Sequence, residues 1–182
     1  MSTLDAVILA GGAGTRMGGV DKPGLAVGGR TLLERVAAAV RDHAPGARII
    51  VVGPERDSPE ALYVREDPPG SGPVPALRAG LPQVRADRFA LLAADLPHLT
   101  GRHLALLEPN AVFVDADGRE QWLTGVWRTS DVRDALAAYE GRSLHGLLGP
   151  LEPRLVPAPD PEAVADCDTP EDLERAARRL DA

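Results

Sequence analysis

Apolar positions along this chain follow two rhythms. Leu4–Ala10, Arg48–Val52, Phe89–Ala94 and Ala111–Val114 are short, nearly continuous apolar runs. That pattern predicts strands buried on both faces, because alternation with polar residues would appear if one face met water. Trp122–Trp127 predicts a further strand and Leu62–Arg65 a weaker one. Between these runs the apolar residues recur at helical spacing. Thr31 is a capping residue before Leu32, Leu33, Val36 and Val40, which predicts a helix start. Helices are also predicted over Pro75–Val84, Arg102–Leu107, Asp131–Tyr139 and Ser143–Leu148. A last one opens at Thr169, with Pro170 in its first position, Glu171 and Asp172 in its first turn, and Leu173, Ala176 and Leu180 along one stripe. Glu66–Pro73 is too rich in proline and glycine to be anything but a loop, and Pro157–Pro161 reads as a loop within the domain. Strand and helix alternating from the start predict an α/β fold with a mainly parallel sheet and helices on both faces.

Composition narrows the class. With 182 residues and 44% apolar content, the chain can bury one full core, so residues 1–182 are read as a single domain. A net charge of −7 and 3% aromatics argue against nucleic acid as a partner, which calls for a basic face and stacking rings. An anionic substrate stays compatible, because local charge in a cleft outweighs the total. No apolar stretch approaches the roughly 20 residues of a membrane span, and no leader pattern opens the chain. No membrane association is expected. A single cysteine, Cys167, excludes an internal disulfide and suits a reducing cytoplasm. Its neighbours Asp166 and Asp168 should raise its pKa and leave it inert.

Three places carry candidate chemistry. Of twenty basic residues only Lys22 is a lysine, which suggests a position where a compact charge is needed and a planar guanidinium is too bulky. It follows a glycine-rich segment holding Gly11, Gly12, Gly14 and Arg16, directly after the first strand. Exposed backbone N–H groups and cations in such a loop hold phosphate; a flexible surface connection is the bland alternative. The segment is neither a P-loop, since Lys22 follows Asp21 and precedes Pro23, nor a dinucleotide fingerprint, since Met17 stands where glycine is required. The second place is Asp95, at the exit of a buried strand, where open α/β sheets bind ligands. Its carboxylate suits Mg²⁺; capping the next helix is the structural alternative, for which Thr100 is better placed. The third is Asp166 with Asp168, two carboxylates on an extended segment that could complete a metal site.

Leu9-Ala-Gly-Gly, Arg16-Met-Gly-Gly-Val-Asp-Lys22, Leu25 and Gly29 resemble the signature of the molybdenum cofactor guanylyltransferases. Asp67 with Gly72-Pro73 and Ala79-Gly-Leu81, Ala94-Asp-Leu-Pro97, and Asp168-Thr-Pro-Glu-Asp-Leu173 resemble that family's later landmarks, in order and across nearly the whole chain. The resemblance implies a single-domain, Rossmann-like three-layer α/β/α nucleotidyltransferase fold, with residues 1–100 as the nucleotide-binding half and 101–182 as the acceptor-binding half. It implies that Leu9, Ala10, Gly11, Gly12, Gly14, Lys22, Asp67 and Asp95 bind GTP, that Arg16, Lys22 and Asp95 are catalytic, and that Asp95 holds Mg²⁺ with Asp168 a candidate second ligand. Trp122 to Arg128 (Trp127 and Arg128 above all), Arg142 with Ser143, and Asp166 would border the acceptor, molybdenum-molybdopterin, and cofactor-delivery proteins would be partners. Gly53-Pro-Glu-Arg56 stands where the family often has an asparagine, and Asp166 and Asp168 where it often has asparagines. The alternatives are a related nucleotidyltransferase, for cytidylyl or sugar-phosphate transfer, and a non-catalytic nucleotide-binding module.

Overall fold

The continuous apolar runs form the centre of one sheet. The computed structural model describes residues 4–11 and 19–182. In chain order the strands are β1 (Leu4–Leu9), β2 (Ala26–Val27), β3 (Arg30–Thr31), β4 (Ile49–Val52), β5 (Leu62–Val64), β6 (Arg88–Ala93), β7 (Ala111–Val114), β8 (Glu120–Arg128) and β9 (Arg154–Pro157). The helices are α1 (Leu32–His43), α2 (Pro73–Gly80), α3 (Gly101–Leu104), α4 (Thr129–Ala138), α5 (Leu144–Leu148) and α6 (Pro170–Leu180). Seven strands pair in the order β5-β4-β1-β6-β8-β7-β9, while β2 and β3 make a separate small hairpin. β5, β4, β1 and β6 are mutually parallel; β8 alone runs the other way, antiparallel to both β6 and β7, and β9 adds parallel to β7.

Alternation along each strand explains why the runs are apolar throughout. Ile8, Val51, Leu92 and Phe113 face one side, where they pack with Leu33, Val36 and Val40 of α1 and Leu104 of α3. Val7, Ile50, Leu91 and Trp127 face the other, against Leu77 of α2, Val132 and Leu136 of α4, and Leu147 and Leu148 of α5. Three layers result, as the alternation of elements predicts. Buried Asp5 ties together the starts of three strand segments: its carboxylate accepts from the backbone N–H of Arg48 (2.9 Å), Arg85 (2.8 Å) and Ala86 (3.0 Å). Thr31 caps α1 reciprocally, its Oγ1 accepting from Glu34 N at 3.1 Å while Glu34 accepts from Thr31 N at 2.9 Å. Such a box contributes about 1 kcal/mol.

Parallel pairing puts the ends of β1, β4, β5 and β6 on one edge of the sheet. Because β8 is reversed, Thr124 pairs with Leu92 near that edge, whereas Arg128 pairs with Arg88 at the opposite one. α6 returns to the β2–β3 hairpin, where Val27, Leu32, Cys167 and Ala176 form a small core of their own. That brings the segment before α6 back to the strand ends.

Candidate active site

The edge where β1, β4, β5 and β6 end gathers the charged residues. Lys22 opens a single 3-10 turn (Lys22–Gly24) stiffened by Pro23, just before the hairpin. Its Nζ stands 2.5 Å from Asp95 Oδ2 and 2.7 Å from Asp168 Oδ1. Asp95 lies two residues beyond β6, and its carbonyl accepts from Cys167 N at 3.1 Å, which fastens the Asp166–Asp168 segment to the β6 exit. The α6 cap fixes that segment from the other side. Asp172 Oδ2 accepts from the backbone N–H of Asp168 (3.0 Å) and Thr169 (2.9 Å), and Asp172 N donates to Thr169 Oγ1 at 3.1 Å. Asp21 pairs through both carboxylate oxygens with Arg56, beyond β4, and so braces the turn that presents Lys22.

Desolvation alone would lower the Lys22 ammonium, but its hydrogen bonds to Asp168 and Asp95, with their charges, hold it above the ordinary lysine value. Asp95, Asp166 and Asp168 each bring a carboxylate oxygen within 4.8 Å of the others. Three hard oxygen donors converging this closely fit a small divalent cation of the Mg²⁺ or Mn²⁺ type. The cost of the arrangement falls on Asp166, whose carboxyl is pushed up by desolvation and then by Asp168 and Asp95. Cys167 between them is buried, and that burial, with Asp95 and Asp172 nearby, drives its thiol up to about 12. It is inert, for a reason only partly visible in its acidic neighbours.

Residues 6–158 match the MobA-like NTP transferase domain. The chain belongs to that family. A probable molybdenum cofactor guanylyltransferase of Natronomonas pharaonis is 32% identical, over 99% of this chain and 100% of its own. A molybdenum cofactor guanylyltransferase of Cereibacter sphaeroides is 33% identical, over 97% of each. Among solved structures, a nucleotidyl transferase from Methanothermobacter superposes with a TM-score of 0.80 at 21% identity, covering 99% of this chain and 98% of its own. The fold is therefore the single-domain, Rossmann-like α/β/α fold of the nucleotidyltransferase superfamily. No described helix is long and apolar enough to cross a membrane.

Several residues expected at the MobA-like site fall on this edge. Leu9 ends β1, and Ala10 and Gly11 follow it, Ala10 N donating to Val52 O at 2.8 Å. Asp67 is exposed on the loop after β5. Gly12, Gly14 and Arg16 lie outside the described residues. Two expectations for the acceptor side need correction. Trp127 is completely buried under α4 and α5, and Arg128 ends β8 at the far edge of the sheet, because β8 runs against its neighbours. Trp122 lies at the other end of β8; its ring stacks on Trp127 (centroids 6.3 Å apart) and meets His145 edge-on at 5.5 Å. Arg142 is exposed in the loop before Ser143, which caps α5. His98 lines a separate groove with Arg35, Arg102 and Arg179. Sequence reasoning passed over Glu66, which is buried beside Gly11. The available signal was two adjacent acids, Glu66 and Asp67, leaving an edge strand, of which at most one can face solvent on each side of the backbone.

Asp166 gives a stability prediction. Its folded-state pKa is raised, so ionising it costs more folded than unfolded. Its contribution is fully present below the ordinary aspartate range and is lost as pH rises through the folded value. Asp166→Asn is therefore expected to stabilise the metal-free protein at pH 7, by no more than about 1 kcal/mol because the side chain is exposed and screened by solvent, and so to raise its melting temperature. The gain should close on acidification through the carboxylate range. A variant that melts lower than wild type at pH 7 would contradict the assigned cause.

Proposed function

We propose that this protein transfers GMP from GTP to the terminal phosphate of molybdenum-molybdopterin, forming the guanine dinucleotide and releasing pyrophosphate. The observation carrying this reading is Lys22, held between Asp95 and Asp168 at the strand edge where the glycine-rich segment begins. The names of the relatives just described support the choice of guanine and of acceptor. The acceptor oxygen would attack the α-phosphorus as its bond to the pyrophosphate oxygen breaks. A phosphate monoester has a second pKa of about 6, so the nucleophile is already dianionic at neutral pH. No general base is needed, which fits a carboxylate cluster that includes no histidine among the described residues.

Two anions must meet, so the chain's task is positioning and charge neutralisation. Leu9 to Gly14 would supply backbone N–H groups to the nucleotide, Asp67 a contact to it, and Lys22 and Arg16 positive charge to its phosphates. Asp95, with Asp168 and Asp166, would hold Mg²⁺. Bound there, Mg²⁺ would supply positive charge to the phosphate oxygens. Asp21, tied to Arg56, keeps the Lys22 turn in place. Residues 1–100 would thus carry the nucleotide, and 101–182 the acceptor, with Arg142 and Asp166 toward it.

A thermal-shift series with GTP, CTP, UTP and ATP, each with Mg²⁺, tests the reading. A ligand at a hundred times its dissociation constant stabilises by about 2.7 kcal/mol. GTP is expected to give the largest shift, and GTP with molybdopterin to release pyrophosphate. A larger shift with CTP would assign cytidylyl transfer instead. Binding without pyrophosphate release from any acceptor would leave a nucleotide-binding module.

A further inference from the structure

The groove that His98 lines runs along the side of α1 turned from the sheet. Leu33, Val36 and Val40 of that helix face the core, while Arg35, Ala38 and Asp42 face the groove. It encloses about 520 Å³, within the roughly 300–1,000 Å³ of small-molecule sites. Its cations come from separate parts of the chain: Arg30 of β3, Arg35 of α1, His98 between β6 and α3, Arg102 and His103 of α3, and Arg179 of α6. α6 begins just after Asp168 and runs for 11 residues, which puts Arg179 roughly 14 Å along the axis from Pro170. The groove is therefore a second place, apart from the carboxylate cluster.

Its charge is the reverse of the chain's. In a molecule of net charge −7, four arginines and two histidines face only Asp42 and Asp160 here. Asp160 is already paired with Arg179. Arg35 spends its donors on neutral carbonyls, Nε on Val27 O at 2.8 Å and Nη2 on Gly28 O at 3.1 Å. Burial, and then the charge of Arg30, hold its guanidinium below the ordinary value. Arg30 and Arg102 are exposed, and neither side chain makes a hydrogen bond or ion pair among the described residues. Arg30 does act at a distance on Glu34, whose carboxylate is already bonded to Thr31 N and Ser58. Cations that crowd a concave surface without matching acids attract an anion.

The histidines add donors. His103 Nδ1 accepts from Thr100 N at 3.1 Å in the α3 cap, so its proton sits on Nε2 and can be donated. Desolvation holds the imidazoles of His98 and His103 below the ordinary value. Arg179 and Arg35 push His98 further down, against Glu162 and Asp160, and Asp160 alone acts upward on His103. The floor between these groups is apolar, formed by Ala38, Ala39, Pro97 and Leu99, with Leu180 at 37% exposure on the lip. A bare inorganic ion gains nothing from such a floor, whereas an organic body buries apolar surface on it.

We propose that this groove binds an organic diphosphate of nucleotide size. Its phosphates would be held by Arg30, Arg35 and Arg102, through the paired donors a guanidinium offers to phosphate, with the imidazoles beside them. Its flat body would lie on Ala38, Ala39, Pro97 and Leu99. This site is independent of which nucleotide the catalytic edge accepts.

NMR titration of the histidine rings in the full, Mg²⁺-free chain tests this, with ADP, inorganic pyrophosphate and adenosine as probes. ADP should raise the titration midpoint of His98 by about one unit, since a nearby anion favours the charged imidazole, and should shift the ring signals of His103. His145, on α5 across the sheet, should not respond. Adenosine should leave all of them unchanged, and pyrophosphate should bind at least about tenfold more weakly than ADP for want of the buried body. Arg30→Ser combined with Arg102→Ser should weaken ADP at least about tenfold with little change in melting temperature, because neither side chain bonds anything in the free protein. Lys22→Ala should leave ADP binding in place. A His98 midpoint indifferent to ADP overturns the proposal, as does an ADP affinity indifferent to the loss of both arginines. A His98 response that disappears in Lys22→Ala would put ADP at the catalytic edge and overturn it too. Adenosine or pyrophosphate binding as tightly as ADP overturns the class of ligand. None of these readouts needs turnover or GTP, so a failure of the GTP reading would leave the result standing.

Discussion

Asp95→Ala is expected to lower nucleotide transfer at saturating GTP by about 10²–10³-fold, the range for losing one preorganised electrostatic group, about 2.7–4 kcal/mol. Asp95 contributes in two separable ways. Its side chain holds Lys22 at 2.5 Å and supplies one of the three clustered carboxylate oxygens. Its backbone carbonyl accepts from Cys167 N at 3.1 Å and keeps the Asp166–Asp168 segment against the β6 exit. Alanine removes the first contribution and preserves the second, so the variant should fold. Lys22 keeps its bond to Asp168 at 2.7 Å, which limits the loss of stability. Three readouts should therefore part company: turnover collapses, affinity for Mn²⁺ measured by calorimetry falls, and the melting temperature of the metal-free chain moves little. Asp95→Asn keeps an oxygen donor without the charge and should fall between. Wild-type turnover with Mg²⁺ in the alanine variant would remove Asp95 from the reaction.

The apolar runs made the core legible, because a parallel strand covered by helices on both faces admits no polar alternation; Val7 and Ile8, or Leu91 and Leu92, point to opposite layers and must both be apolar. Edge elements lack that constraint. β9 is mostly exposed and contains Pro157, so nothing in Arg154–Pro157 marks it as a strand; pairing with β7 makes it one. The β2–β3 hairpin is two residues a side and likewise escapes a periodic pattern. The reversal of β8 was equally invisible, since direction leaves no trace in a strand's own residues, and this misplaced Trp127 and Arg128. At the site, Lys22 stood out through composition and Asp95 through its place after a buried run. The contact of Lys22 with Asp168 joins residues 146 apart in the chain and is set by the return of α6 to the hairpin. Glu66 was hidden by a loop whose prolines and glycines say only that it turns.

Lys22→Arg should be nearly as damaging as Lys22→Ala, both falling at least about a hundredfold in transfer and lying within about tenfold of each other. The reason is convergence. Two carboxylates approach the same Nζ at 2.5 and 2.7 Å, and an ammonium serves both because its three donors radiate from one atom. A guanidinium spreads its donors over a planar fork and places its charge further along the side chain. It would engage one aspartate through two parallel bonds and push the other away. Stability separates the two variants more than activity does. Lys22→Ala leaves Asp95, Asp166 and Asp168 facing one another with their common cation gone. Lys22 and Asp95 are 18% and 16% exposed, so the loss should lie between the ~0–1 kcal/mol of surface pairs and the ~3–5 kcal/mol of fully buried ones. Arginine retains the charge and should recover part of it. Because the Lys22 ammonium is held above its ordinary value, its stabilisation is complete at neutral pH and fades only as pH rises through that folded-state value. On the acid side the cost of Lys22→Ala should shrink as the carboxylates protonate. Millimolar Mg²⁺ should restore the melting temperature of Lys22→Ala more than that of wild type, since a divalent ion neutralises the same three oxygens, yet it should leave transfer impaired. An arginine variant with full activity would show that compactness at position 22 is immaterial.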